Sequence, residues 1–145
     1  MPTVQDVLAV KGTMVHTIEP SATVLAATQK MNAHKLGALM VMQDGQVAGI
    51  FTERDVLRRV VAEQRDPSSC TVGEVMTTDV ICCQPEDDLD EISSLMQQKR
   101  VRHVPVCDRN GRVMGIVSIG DVNAYHATNQ EAHINFLSEY IYGRV

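Results

Sequence analysis

The sequence predicts a mixed α/β (α+β) chain built from two copies of one β-α-β-β-α unit, followed by one further amphipathic helix. Three observations carry that prediction: segments that match at a constant spacing, short apolar strands alternating with amphipathic helices, and tight-turn signals at equivalent places in both halves. Val15-His16-Thr17-Ile18-Glu19-Pro20 matches Val80-Ile81-Cys82-Cys83-Gln84-Pro85 at a spacing of 65. The same spacing pairs Val24 with Leu89, Ala27 with Ile92, Met31 with Met96 and Val41 with Val106. Beyond Asp44-Gly45 and Asn110-Gly111 the spacing becomes 66, a one-residue insertion in a loop. It then pairs Gly49-Ile50-Phe51-Thr52-Glu53-Arg54-Asp55-Val56 with Gly115-Ile116-Val117-Ser118-Ile119-Gly120-Asp121-Val122. A spacing held through several unlike segments marks a duplication.

Each copy reads in the same order. A lead-in, Thr3-Val4-Gln5-Asp6-Val7-Leu8 or Thr71-Val72-Gly73-Glu74-Val75-Met76, precedes an extended segment, Val15 to Ile18 or Val80 to Cys83, that stops at a proline. An amphipathic helix follows, with apolar residues at Val24, Ala27 and Met31, or at Leu89, Ile92, Leu95 and Met96. Glu86, Asp87 and Asp88 stand where the positive end of the second helix belongs. Two apolar strands come next, Ala38 to Met42 with Val47 to Phe51, and His103 to Cys107 with Arg112 to Val117. Asp-Gly and Asn-Gly between them supply tight-turn geometry. A second helix begins near Glu53 or Ile119. Arg65-Asp66-Pro67-Ser68-Ser69 is the linker. The expected organisation is therefore one repeat over 3–66, a second over 71–127, and an amphipathic helix or tail over 128–145 carrying Ile134, Leu137 and Ile141.

Composition limits the function classes. The 145 residues are 44% apolar and 21% charged, the balance of a globular protein, and with 3% aromatics the core must be aliphatic. A net charge of −5 argues against a general nucleic-acid or acidic-membrane surface. Basic clusters persist locally, at Lys99-Arg100 with Arg102-His103 and at Arg54 with Arg58-Arg59, and could hold a small anion. No signal peptide or membrane-length apolar run is visible, so a cytoplasmic protein is expected. Cys70, Cys82, Cys83 and Cys107 form no CxxC pair and have no His at metal-ligand spacing, so reduced thiols and no metal are expected. If Cys82 and Cys83 lie on a strand, they point to opposite faces.

The doubled Gly-h-h-Thr/Ser-x-x-Asp motif, where h is apolar, carries the chemistry. It describes a strand running into a helix, with Thr52 or Ser118 at the N-cap and Asp55 or Asp121 one turn inside. The arrangement suits a capping box. It also suits a ligand site, because an aspartate can accept two hydrogen bonds from a ribose diol and a glycine permits close approach. Both roles are compatible. No nucleophile–base pair, phosphate-cradling loop or paired-carboxylate site is evident, so an enzyme is not expected.

The tandem copies resemble a pair of CBS domains, the regulatory repeats named after cystathionine β-synthase. The resemblance runs from about Thr3 to about Tyr125 and rests on the doubled motif, the Arg102-His103-Val104-Pro105-Val106 strand and the two lead-ins. It implies two repeats packed sheet to sheet with pseudo-two-fold symmetry, clefts that bind adenosine nucleotides, and assembly as a homodimer. It further implies that Asp55 and Asp121 hold ribose hydroxyls while Thr52 and Ser118 contact ribose or phosphate. Ser118 and Asp121 would share a cleft with Thr13, Met14 and Val15; Thr52 and Asp55 would share the other with Thr78, Asp79 and Val80. Arg102 and His103 match the family's phosphate-facing strand start, where the first copy has Gly37-Ala38; a solvated strand edge is the other reading of the pair. Arg54 could supply charge to the first cleft, and Gly120 replaces it in the second.

The function expected on these grounds is a regulatory module binding AMP, ADP, ATP or NAD and acting on an unknown partner protein. Two alternatives remain: a ligand-free interaction scaffold, and a thiol redox sensor using Cys82 or Cys83.

Overall fold

In the computed structural model of the chain, residues 2–127 are described. The helix expected over 128–145 lies outside the described residues. In chain order the elements are α1 (Val4–Lys11), β1 (Thr17–Ile18), α2 (Val24–His34), β2 (Ala38–Gln43), β3 (Gln46–Thr52) and α3 (Glu53–Asp55), which runs on as a π-helix over Val56–Val61. Then come α4 (Val72–Val75), α5 (Leu89–Lys99), β4 (His103–Cys107), β5 (Val113–Ser118) and α6 (Ile119–His126). The mixed helix-and-strand class is the one the sequence predicts.

The chain divides into two compact units, one of Met14–Ile81 and one of the chain up to Thr13 together with Cys82 onward. Each unit thus holds the body of one repeat and the lead-in helix that precedes the other. The hydrogen bonds that dock the two lead-ins are the same. In the first unit Val72 N donates to Ala22 O at 2.8 Å, Gly73 N to Pro20 O at 2.9 Å, and Val24 N to Cys70 O at 2.8 Å. In the second Val4 N donates to Asp87 O at 3.0 Å, Gln5 N to Pro85 O at 2.9 Å, and Leu89 N to Pro2 O at 3.0 Å. These bonds satisfy N–H groups at helix starts that have no partner within their own helix.

In the Met14–Ile81 unit the sheet order is β1-β2-β3, with β1 parallel to β2 and β2 antiparallel to β3. Asp44 and Gly45 both take positive φ, 54° and 77°, the geometry of a type I′ hairpin turn whose twist matches that of the strands. Val24, Ala27 and Met31 pack with Leu39, Val41, Phe51, Val60 and the α4 residues Val72 and Val75. The core is aliphatic apart from Phe51.

In the other unit β4 pairs antiparallel with β5, and the inserted residue is absorbed between Asp108 and Arg112. Asp108 Oδ1 accepts from the backbone of Asn110 and Arg112 at 2.8 and 2.9 Å, which closes that loop. Leu89, Ile92 and Met96 pack with Val104, Val106, Val117, Val122 and the α1 residues Val4, Val7 and Leu8. The helices α2 and α5 end alike, at Lys35 and Arg100 in left-handed conformation with φ of 55° each.

The strand expected over Val80 to Cys83 shrinks to one parallel bridge, Cys83 with Val106. Proline explains the loss. In the first copy Met40 N donates to His16 O at 3.1 Å and starts the parallel ladder. Pro105 stands at the position equivalent to Met40 and has no N–H to donate, so pairing begins only at Cys83. The first segment is shorter than expected as well, covering Thr17–Ile18 rather than Val15 to Ile18.

Candidate functional site

Both motif corners form the capping arrangement their spacing predicts. Thr52 N donates to Asp55 Oδ2 at 3.0 Å, and Asp55 N donates to Thr52 Oγ1 at 3.4 Å. Ser118 N donates to Asp121 Oδ2 at 2.8 Å, and Asp121 N donates to Ser118 Oγ at 3.1 Å. Neither carboxylate points away into bulk water. Asp55 is 4% exposed, while the Asp121 side chain is 23% exposed.

Each carboxylate then receives a donor from the lead-in held in its own unit. Thr77 Oγ1 donates to Asp55 Oδ1 at 2.9 Å, and Thr77 N donates to Ile50 O at 2.9 Å. In the other unit a single group does both tasks: Lys11 Nζ donates to Asp121 Oδ2 at 2.6 Å and to Ile116 O at 2.6 Å. Ile50 and Ile116 are equivalent at the spacing of 66. A neutral threonine in one unit is therefore matched by a charged lysine in the other. Arg59, four residues after Asp55, places Nε 3.8 Å from Asp55 Oδ1 and donates to the backbone oxygens of Val75 and Met76 at 3.2 and 2.9 Å.

Around Asp55 the unit also carries Thr52, half-buried, and Arg54, exposed. Thr78 and Asp79 are exposed and Val80 half-buried on the segment after Thr77. Around Asp121 the structure brings Ser118 together with His103, whose Cα is the β4 partner of Ser118, and with Arg102, whose carbonyl accepts from Ile119 N at 2.9 Å. Burial holds the His103 imidazole below its ordinary value; Lys11 lowers it further, Asp121 opposes, and Arg102 lowers it again. These groups are close enough to feel one another. Thr13 belongs to the Asp121 unit, whereas Met14 and Val15 belong to the other.

Sequence reasoning missed Lys11 and Thr77, and it noted Arg59 only as part of a basic cluster, without its pairing to Asp55, which the i,i+4 spacing on one helical stretch made detectable. Thr77 immediately precedes the Thr78 that was singled out. Lys11 carried no local signal, since it reaches its partner across 110 positions of sequence. A shallow depression of about 490 Å³, lined by residues that include Thr17, Glu19, Lys30, Met42 and Asp44, lies at the hairpin end of the first sheet and shares no residue with the predicted set. Among the described residues no group of three or more His, Cys, Asp or Glu could hold a metal ion, and no helix is long and apolar enough to cross a membrane.

Two copies of one fold, each closing a Thr/Ser-x-x-Asp corner against a lead-in helix, define a tandem regulatory-domain architecture. The chain belongs to the CBS domain family, whose model matches residues 4–62 and 72–127. Among its relatives, the CBS domain-containing protein YhcV of Bacillus subtilis (strain 168) is 35% identical over 132 residues, covering 91% of each chain. The solved structure of a protein assigned to signal transduction, with CBS domains, from Burkholderia ambifaria MC40-6 is 35% identical, with a TM-score of 0.85 over 89% of this chain and 96% of that one. The CBS domain pair of protein MJ0100, solved in complex with 5′-methylthioadenosine and S-adenosyl-L-methionine, is 25% identical, with a TM-score of 0.76 over 86% and 95% of the two chains.

Proposed function

We propose that this CBS pair is a regulatory module that binds an adenosine nucleotide, of the AMP, ADP, ATP or NAD class, and reports it to a partner protein rather than catalysing a reaction. The observation that carries the reading is the pair of capped corners, each offering a hydroxyl held in the cap and an aspartate that takes a donor from a lead-in. A ribose diol can replace such a donor on the carboxylate, and the lead-in it releases is then free to change its contacts. Binding is in this way coupled to the position of a segment that a partner can read. The adenosine compounds held by the CBS pair of MJ0100 support the ligand class.

The remaining assignments follow from the same reading. The protein acts in the cytoplasm, and its partners are a second copy of itself and a regulated protein, with neither nucleic acid nor membrane involved. Leu57 and Val61, 62% and 63% exposed on the π-helix, are large apolar residues suited to a homodimer contact. Light scattering on the full chain tests that assembly.

Calorimetry on the full chain with AMP, ATP, NAD and S-adenosylmethionine tests the ligand. Saturable heat and a raised melting temperature are expected for at least one of them. Absence of both at millimolar concentration overturns the reading.

A further inference from the structure

The two corners differ in what a ligand must displace, and that difference selects ligand chemistry. We propose that the Asp121 corner takes a phosphorylated adenosine, with Lys11 as the residue that reads the phosphate. The inference rests on the nucleotide-binding reading above and goes beyond it by assigning ligand charge to that corner and a residue that senses it.

The Lys11 ammonium bridges Asp121 Oδ2 and Ile116 O. A ribose diol that takes the carboxylate strips the ammonium of its counter-charge. The lysine side chain is 31% exposed, so water compensates part of that loss and uncharged adenosine binds there against a small penalty. A 5′-phosphate removes the penalty. The four-carbon lysine stem lets the ammonium swing from the carboxylate to the incoming anion while its Cα stays on α1. Lys11 is also not the sole positive group: exposed Arg102 and the His103 imidazole lie on the strand start beside Ser118.

The Asp55 corner is held differently. Its lead-in donor is the neutral Thr77 hydroxyl, and the cation there, Arg59, stands with Nε 3.8 Å from Asp55 Oδ1 while also donating to the Val75 and Met76 carbonyls. Gly37 and Ala38 occupy the positions of Arg102 and His103.

Calorimetric titration of the full chain and of Lys11→Met with AMP and with adenosine tests this. Lys11 is exposed, so the variant is expected to fold, and a cooperative melt verifies it. In the unaltered chain one AMP site is expected to be tighter than adenosine by about tenfold or more, the scale of a charge-assisted hydrogen bond. Lys11→Met should weaken that AMP site by a similar factor, leave adenosine unchanged or tighter, and flatten the salt dependence of AMP binding. Lys11→Arg should retain the preference, and Asp121→Asn should weaken the same AMP step that Lys11→Met affects. If AMP and adenosine both bind but their ratio is unchanged in Lys11→Met, the assignment of Lys11 is overturned while the nucleotide reading stands. If neither compound, nor ATP nor NAD, binds the unaltered chain, the nucleotide reading itself fails, and this assignment with it.

Discussion

Thr77 Oγ1 donates to Asp55 Oδ1 at 2.9 Å, so a buried carboxylate inside the first motif is held by the segment that leaves α4 as well as by its own cap. Asp121 has no such neutral partner; its extra donor is the ammonium of Lys11, whose side chain is 31% exposed. The two aspartates occupy equivalent sequence positions and carry unequal structural weight.

Removing them should show it. Asp55→Ala removes a buried carboxylate and leaves the half-buried Thr77 hydroxyl and Thr52 N–H without that acceptor, and an expected loss of about 2 kcal/mol follows. Asp121→Ala removes a cap and a more accessible ion pair, and about 1 kcal/mol is expected. Urea unfolding of both variants measures the difference, and equal losses would contradict it.

Gly49 and Gly115 match in the repeat, but their neighbours differ. A Cβ on Gly49 would lie 2.6 Å from Thr77 O, a backbone atom that is itself hydrogen-bonded to Ile50 N. A Cβ on Gly115 would lie 2.8 Å from Leu8 Cδ2, the end of a side chain that can turn. Gly49→Ala should therefore cost on the order of 2–3 kcal/mol and Gly115→Ala clearly less. Thermal melts of the two variants rank them, and the reverse order would refute the contact argument.

Cysteine reactivity should be confined to one thiol. Cys82 is exposed, whereas Cys70, Cys83 and Cys107 are buried. Burial pushes the Cys83 thiol up to about 12, with Asp87 adding to the effect. Burial and a hydrogen bond with Cys82 push Cys107 up to about 12. The thiolate is the reactive form, so neither is a nucleophile near neutral pH. Iodoacetamide at about pH 8 should label Cys82 first and the other three only on unfolding, as peptide mass spectrometry would show. Of the two residues considered for a redox sensor, Cys83 is therefore unsuited; rapid labelling of Cys83 in the folded chain would reverse that judgement.

Stability should fall on mild acidification. Burial is the main cause that lowers His103, and burial followed by the neighbouring His34 and Lys30 lowers His16, both from 6.5. The unfolded chain then binds protons that the native chain refuses, so stability is complete above 6.5 and is lost as pH drops from there toward the lowered native values. The melting temperature should decrease between about pH 7.5 and pH 5.5, and His103→Gln should reduce the slope. A melting temperature that rises over that range would show the sign to be wrong. The tilted rings of His16 and His34, with centroids 4.4 Å apart, place the His16 effect in the Met14–Ile81 unit.

The parts of the site legible in the sequence are those set within a few residues. Thr52 with Asp55, and Ser118 with Asp121, are three positions apart, so helix geometry alone makes them cap one another. The Asp44-Gly45 turn and the apolar faces of α2 and α5 were legible for the same reason. The shortened strand at Cys83 was not, because its cause is Pro105, a residue on a different strand. Lys11, from the far end of the chain, was hidden for the same reason.

By itself the sequence determined that this protein is a duplication, what each copy contains, and which corners pair a hydroxyl with a carboxylate. All of these follow from periodicity and short-range hydrogen bonding. Only the tertiary structure decided which lead-in joins which repeat body. Thr3-Val4-Gln5-Asp6-Val7-Leu8 and Thr71-Val72-Gly73-Glu74-Val75-Met76 carry the same apolar spacing and the same capping groups, so either could fill either groove by local criteria. Chain connectivity and long-range packing break that tie. The exchange sets lysine beside one aspartate and threonine beside the other, and so gives two near-identical corners different lead-in donors.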